Sequence, residues 1–428
     1  VARGELFIAI VGERFDGHDF VKDAAARGAA GAVVARDVEA PAGLPLVRVA
    51  DTTRALLDLA RHVRLASEIP VVGITGSTGK TTTKDMTAAL LESRGPVLRT
   101  EGNLNNQYGV PLTLLRILPE HWAGVVEMGM SAPGELRTLT EVARPDVAVI
   151  TNVGPAHLGF FRSVDAIADA KAEILEGLRP GGVAVLNGDD PRLVGMGERF
   201  GREVVFFGRD RRHEVSAEDW RGSVAGMRFV LRIGGRSVDI ALPVAGLHNV
   251  SNFLAAAAAA HRLGVDAFAI AHAAARIETA SHRGRFLVRN EEVTVLDDSY
   301  NASPDAVLAA AQALGLASAR RRVAFLGDML ELGDAGEALH RQTGERLAGL
   351  VDVVVGVGPL SRHVLEGAKG GGRAADSLHH FPDSEAAARE AASLVRPGDA
   401  VLVKGSRAMR MERVLEALLA RYEARERP

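Results

Sequence analysis

The sequence predicts an α/β chain in three consecutive units, the second and third built on mainly parallel sheets. Three observations carry that prediction. Short apolar runs alternate with helical stretches through most of the chain, as βαβ crossovers require. The pattern breaks at Ser67-Glu68-Ile69-Pro70, read as a hinge, and restarts near residue 284, giving units 1–69, 70–283 and 284–428. Between the breaks, Val71-Val72-Gly73-Ile74 leads through a glycine-bearing loop into a helix near Lys80.

Taken in order, Leu6–Ile10 and Gly31–Val34 read as strands, Phe20–Arg27 and Thr52–Leu65 as helices, and Pro41 and Pro45 mark a loop. In the second unit the strands are Val71–Ile74, Ala123–Glu127, Val147–Thr151, Val183–Leu186 and Val204–Phe207. Residues 215–243 differ: Val224–Ile233 and Ser237–Leu242 flank Gly234-Gly235, a hairpin signal and so an antiparallel excursion. An Ala-rich helix follows from Asn249 to His261. The third unit alternates strands Val293–Leu296, Arg322–Leu326, Val351–Val355 and Ala400–Val403 with helices near 304–316, 335–349, 384–395 and 410–425, a second doubly wound pattern.

Composition narrows the function. At 428 residues, with 47% hydrophobic and 25% charged residues, the chain is that of an ordinary globular protein. A net charge of −3 carries no polybasic footprint for nucleic acid or an anionic membrane. There is no cysteine, which removes disulfides and thiolate chemistry and suits a cytoplasmic enzyme. No apolar run reaches membrane-spanning length, so no membrane insertion is expected. The chain opens at Val1 on a strand pattern without an initiator Met, so an upstream stretch is expected. Of 51 Lys plus Arg, only Lys22, Lys80, Lys84, Lys171, Lys369 and Lys404 are lysines. A chain that writes Arg wherever positive charge suffices keeps Lys where a compact amine matters; Lys22 and Lys369 read as solvated surface.

Thr75-Gly76-Ser77-Thr78-Gly79-Lys80-Thr81-Thr82 joins a strand to a helix start, where loop amides cradle phosphate oxygens. Lys80 supplies a charge for the outer phosphates and Thr81 a hydroxyl for Mg²⁺, the P-loop chemistry of ATP binding. The general pattern has glycine where Ile74 stands, so the loop is a variant. Glu127 ends a strand beside the loop and is placed to hold Mg²⁺ directly or through water; a plain loop-start carboxylate is the alternative. His157, in Asn152-Val153-Gly154-Pro155-Ala156-His157, is a capping or surface residue or a metal ligand. Lys171 falls on the apolar stripe Val164, Ile167, Ile174, Leu178 of a helix capped by Ser163. It is a snorkelling lysine, one arm of an ion pair, or a neutral, chemically modified amine. Asn249 and Asn252 share a helix face and either cap the helix or read a base edge. Asp297-Asp298-Ser299-Tyr300-Asn301 and Lys404-Gly405-Ser406-Arg407 each follow a strand. The first is an Asx-turn or a ligand site; the second suits an anion, or Ser406 caps a helix.

The loop Gly73–Thr81 resembles that of the Mur ligases, ATP-dependent enzymes that build the peptide of bacterial cell-wall precursors. Six further stretches extend the resemblance in the family's order: Phe15–Phe20, Gly102–Asn106, Glu127–Gly129, Thr151–Leu158, Asp297–Ala302 and Leu326–Gly333, with Lys404–Arg407 completing it. It implies an N-terminal domain for the UDP-substrate, a central ATPase and a C-terminal Rossmann-like domain that swings to close the site. It points to the branch that joins D-alanyl-D-alanine to UDP-N-acetylmuramoyl-tripeptide through an acyl phosphate, using ATP and Mg²⁺, in a cytoplasmic monomer serving cell shape and division. It further implies that Glu127 and His157 are metal ligands and that Asn249 and Asn252 face adenine. Arg285 and Asp298 would reach the nucleotide from the C-terminal side, and Asn105, Asn106, Tyr300, Asn301, Lys404 and Ser406 would meet substrate. Lys171 matches the family's carbamylated lysine, whose carbamate helps hold a second Mg²⁺; only a neutral amine adds CO₂. The family's stretch before Gly4-Glu5-Leu6-Phe7, with a Ser-Arg pair for the UDP-substrate, is missing, so the N-terminal unit is expected to be incomplete. Two alternatives stand beside this: a sister ligase adding a diamino acid or glutamate, and a P-loop switch or transport ATPase. Leu326-Gly327-Asp328-Met329 argues against the diamino-acid enzyme, and the third unit against the ATPase.

Overall fold

The computed structural model describes residues 1–423 apart from 157, 279–281 and 290–292. A small parallel sheet opens the chain: β1 (Leu6–Ile8), β2 (Gly31–Val34) and β3 (Leu46–Arg48), with α1 (Val21–Ala26) between the first two. Strand β3 lies in the stretch read as a loop; it is short and exposed, so no alternation marks it. Helix α2 (Thr52–Ala66) follows, its N-terminus capped by Asp51. Leu57 and Ala60 of α2 pack into the next unit's core, beside Val110 and Leu136. Arg64, 1% exposed, donates to the carbonyls of Ala143, Arg144, Ser67 and Ile69 and to Asp146 Oδ2. The same Asp146 oxygen takes the Val71 amide. The linker read as a hinge is therefore clamped.

The second unit contains β4 (Val71–Thr75), α3 (Lys80–Leu91), β5 (Val97–Arg99), α4 (Gly109–Leu114), β6 (Ala123–Glu127), α5 (Glu135–Ala143), β7 (Val147–Ile150), α6 (Val164–Glu176), β8 (Val183–Asn187), α7 (Pro191–Phe200) and β9 (Val204–Gly208). An antiparallel flap of β10 (Val215–Ser223), β11 (Gly226–Ile233) and β12 (Arg236–Leu242) extends the sheet, before α8 (Leu247–Arg262) and α9 (Ala267–Ala274). Strand order is β12-β11-β10-β9-β8-β7-β4-β6-β5. The central strands are buried on both faces, hence their unbroken apolar runs. The β11–β12 turn is the expected Gly234-Gly235, at φ +56° and +73°. The chain leaves β4 toward β6 on one side and β7 on the other, so the crevice beyond β4 is the switch point where such sheets bind ligands. The alanines of α8, buried throughout Ala255–Ala260, let that helix lie close to the sheet.

The third unit contains β13 (Arg285–Arg289), β14 (Val293–Asp298), α10 (Pro304–Leu314), β15 (Arg321–Gly327), α11 (Gly336–Leu347), β16 (Val353–Val357), α12 (Ser361–Gly370), β17 (Leu378–Phe381), α13 (Ser384–Leu394), β18 (Asp399–Lys404) and α14 (Glu412–Glu423). Its order is β13-β14-β18-β15-β16-β17, parallel except β13. The strand expected at Val351–Val355 starts two residues later, because the Val351 amide still bonds the end of α11 at Leu347. The flap reaches this unit: Val224 packs on its core. Closer to β4, the Gly159 amide donates to Glu331 O at 2.8 Å.

Candidate active site

Beyond β4 the chain turns through Gly76–Gly79 into α3. A Cβ on Gly76 would sit 1.8 Å from Thr151 Oγ1, and one on Gly79 2.2 Å from Asn252 Oδ1. Both sites therefore demand glycine, while Ile74, the departure from the general pattern, is plain buried strand. The loop is stapled to the segment after β7. Ser77 N and Thr78 N donate to Asn152 O (3.0 Å) and Oδ1 (2.9 Å), and Thr151 Oγ1 donates to Thr78 O (2.6 Å). Helix α3 starts at N-cap Gly79 with no side-chain cap, which leaves its first-turn amides for an anion. Lys80 Nζ donates to Gly76 O at 2.8 Å. Burial lowers the Lys80 pKa, with Glu127 opposing and Arg283 adding. Thr75 is fully buried under the loop with its hydroxyl unpartnered among the described residues, so it supports the cradle without lining it.

Next to the cradle, Thr81 Oγ1 donates to Glu127 Oε2 and Asn105 Nδ2 to Glu127 Oε1, each at 2.7 Å. Glu127 is 2% exposed, and its amide donates to Thr100 Oγ1 at 3.0 Å. A hydroxyl and a carboxylate oxygen thus share one spot beside an anion cradle. That donor set suits Mg²⁺, which takes hard oxygens and bridges them to phosphate. His157 lies outside the described residues; among those described, no group of three or more His, Asp or Glu gathers as for a metal. Helix α6 carries the Ser163 cap expected, accepting from Ala166 N at 3.1 Å. Lys171 on it is 1% exposed, and burial, then the Lys80 charge, drives its pKa well below the ordinary value. Among the described residues no hydrogen bond or ion pair reaches it, and its burial argues against a snorkelling lysine.

The opposite wall comes from α8 and the third unit. Neither Asn249 nor Asn252 caps α8, whose N-cap is Gly246 at φ +99°. Asn249 Nδ2 donates to Ala245 O (2.8 Å) and Asn252 Nδ2 to Asn249 Oδ1 (3.1 Å), and both residues line the cleft. Asp297 does form an Asx-turn, its Oδ1 taking the Ser299 amide and hydroxyl. Asp298 instead faces the cleft, paired with Lys404, which also donates to Asn301 O at 2.9 Å. Burial raises the Asp298 pKa while Lys404 opposes it. Ser406 stands at the N-cap of the short 3-10 helix Arg407–Met409, but its hydroxyl makes no cap hydrogen bond and instead accepts from Leu330 N at 2.8 Å. Asn106 spends its Oδ1 on the Tyr108 and Gly109 amides just ahead of α4, yet lies on the rim.

Arg285 does not join these residues: it is exposed on β13, paired through its backbone with Asp297. Arg283, two residues earlier, lines the cleft with its guanidinium 4.1 Å from the Tyr300 ring centre, and its charge is felt at Lys80 and Asp298. Two arginines flank Gly284, which at φ +77° turns the chain just ahead of β13, so Arg283 precedes the strand and lines the cleft while Arg285 begins the strand and is exposed. His248, also unforeseen, lines the same wall; burial, reinforced by Lys404, lowers its pKa to about 4, so it is neutral. Together the two walls enclose about 1090 Å³, more than one small ligand needs. The backbones of the second and third units touch at Gly159 and Gly333, where a Cβ on Gly333 would come 2.7 Å from Gly159 Cα.

Comparison with known proteins follows this layout. Residues 1–64 match the Mur ligase family catalytic domain, 74–260 the Mur ligase middle domain and 282–407 the Mur ligase glutamate ligase domain. The UDP-N-acetylmuramoyl-tripeptide–D-alanyl-D-alanine ligase of Escherichia coli K12 is 39% identical over 421 residues, 97% of this chain and 91% of that protein. Among solved structures, MurF from Acinetobacter baumannii superimposes with a TM-score of 0.91 at 35% identity, covering 98% of this chain and 91% of that one. MurF from Thermotoga maritima in complex with ADP gives 0.88 at 32%, covering 99% and 96%.

Proposed function

The chain belongs to the Mur ligase family, and from that premise we propose that it is the ATP-dependent ligase joining D-alanyl-D-alanine to the carboxyl terminus of UDP-N-acetylmuramoyl-tripeptide. The observation that carries the residue assignments is the Thr81–Glu127–Asn105 cluster beside the uncapped start of α3, facing Asp298 and Lys404 across one cleft.

Residues 1–69 take the UDP-substrate, 70–283 bind ATP, and 284–428 bind the dipeptide and complete the site. The peptide carboxylate oxygen bonds to the γ-phosphorus of ATP as the bond to the departing ADP oxygen breaks. The dipeptide amine then attacks the acyl carbon, loses its proton, and phosphate leaves. Ser77 to Thr82 would hold the phosphates, with Lys80 following the outer ones; Thr81, Glu127 and His157 would hold Mg²⁺. When bound, Mg²⁺ neutralises charge building on the transferring phosphoryl group. Asn249 and Asn252 flank the adenine, Asp298 and, in place of the exposed Arg285, Arg283 meet the nucleotide from the third unit, and Asn105, Asn106, Tyr300, Asn301, Lys404 and Ser406 face the peptide substrates. The buried amine of Lys171 suits carbamylation, since burial favours the neutral form that adds CO₂.

Among the described residues no helix is long and apolar enough to cross a membrane. Both ATP and a UDP-linked precursor are cytoplasmic metabolites, which places the work there, and one chain supplies both walls, which supports a monomer. The test is ADP release with and without D-alanyl-D-alanine, in the parent and in Lys80→Ala. Release that depends on the dipeptide and vanishes in the variant is expected. ADP release indifferent to the dipeptide would return the chain to the simple ATPases.

A further inference from the structure

Three of the six lysines have a place in the reading above: Lys80, Lys171 and Lys404. Lys22 and Lys369 are exposed. Lys84 remains, and it is 3% exposed on α3, one turn beyond Lys80 and Thr81. Its amine donates to Thr100 O at 2.9 Å and lies 3.0 Å from Asp85 Oδ1, the carboxylate of the next residue.

Thr100 sits just past β5, 1% exposed, with its hydroxyl accepting the Glu127 amide at 3.0 Å. Helix α3 therefore grips Glu127 twice. Thr81 holds the carboxylate directly, and Lys84 holds the main chain through Thr100. The same Thr100 begins the loop that delivers Asn105 to the other carboxylate oxygen. Two grips fix a side chain's position and direction; one would leave it a pivot. A buried backbone carbonyl at the end of a long reach wants a long stem ending in a compact donor, which is lysine and not the arginine this chain otherwise writes.

We propose that Lys84 is a positioning residue for the cation site: through Thr100 it sets where the Glu127 carboxylate stands relative to Thr81. This rests on the reading of Thr81 and Glu127 as Mg²⁺ oxygens. Thr100 stands one step behind Glu127 and Lys84 fixes Thr100; losing a partner behind a metal ligand weakens metal binding about ten- to a hundredfold.

The test reads Mg²⁺ binding and not turnover. ADP is titrated calorimetrically at a series of free Mg²⁺ concentrations into the parent, Lys84→Met, which keeps the stem and removes the donor, and Thr100→Val, which removes only the hydroxyl. In both variants the half-saturating Mg²⁺ should rise at least about tenfold while ADP affinity without Mg²⁺ stays at the parent's value. Parental Mg²⁺ dependence in both, even with a lower melting temperature, would reduce Lys84 to core support. If Lys84→Met does not fold, Thr100→Val decides alone. Glu127→Gln runs in the same series. Should it keep the parental Mg²⁺ dependence, the cation-site reading itself fails. Should it lose that dependence while the other two keep it, only the relay fails.

Discussion

Gly79 and Gly134 form a matched pair on which the phosphate cradle can be tested. Each is the N-cap of a helix in left-handed conformation, Gly79 at φ +80°, ψ −3° and Gly134 at φ +87°, ψ −16°. They differ in surroundings. A Cβ on Gly134 meets nothing within 4 Å, whereas one on Gly79 lands 2.2 Å from Asn252 Oδ1. Alanine in this conformation costs about 1 kcal/mol at either site. At Gly79 the neighbour must also give way by about an ångström, and Asn252 is tied to Asn249 at 3.1 Å and to Thr83 at 3.5 Å. Weakening those bonds adds roughly 1–2 kcal/mol, for a total of about 2–3 kcal/mol. The loop relieves the clash by carrying the first-turn amides of α3 away from α8, and bound phosphate must pull them back. At 1.4 kcal/mol per tenfold, Gly79→Ala should weaken ADP by about 30- to 100-fold. Gly134→Ala should lower the melting temperature slightly and leave ADP affinity unchanged. Calorimetric ADP titration with parallel thermal melts reads both. Parental ADP affinity in Gly79→Ala, or equal weakening in Gly134→Ala, refutes the reasoning.

Lys171→Met should abolish ligation yet stabilise the fold at neutral pH. Because burial lowers the folded-state pKa, the unfolded chain binds the extra proton below its own value near 10.5, so the parent loses stability as pH falls from there. The advantage of the variant in urea melts should shrink as pH rises toward 10.5; an advantage independent of pH would mean that the amine titrates normally. Lys171→Ala should recover part of its activity with added short-chain carboxylates, as a lost carbamate requires, and full activity without them would end that assignment. Arg64→Leu takes the guanidinium from Asp146 and from four carbonyls and should cost about 3–5 kcal/mol, with much of the loss absent in an Asp146→Asn background. Additive losses in that cycle would show that the pair is not coupled. Asp298→Asn should raise the KM for nucleotide or dipeptide by removing the Lys404 partner, and unchanged KM values for both would detach it from the site.

Much of this protein is readable from local pattern. Strands β4, β6 and β7 are buried on both faces, so their apolar runs announce them without any knowledge of their neighbours. The phosphate loop is equally local: residues in one strand, one turn and one helix start build it, and its glycines are dictated by backbone geometry. The Lys171 stripe follows from the period of a helix. Scarcity of lysine was informative as well, since the four that matter are Lys80, Lys84, Lys171 and Lys404.

What pattern could not supply depends on partners far along the chain. Strands β3, β5 and β17 have three or four residues at sheet edges, too short to show a period, and pairing alone defines them. The linker at residues 67–70 looks like a hinge in composition but is held by Arg64 through contacts with residues near 145. Asn249 could have been a cap; Gly246 took that place, and Asn249 turned to the cleft. Arg283 and Arg285 are equivalent in the sequence, and only the turn at Gly284 and the start of β13 at Arg285 put one in the cleft and the other outside it. Residue type and spacing determine which chemistry is available, because they act over a few bonds. Register and the meeting of two sheets decide which groups share a site, because those are settled by packing between residues hundreds of positions apart.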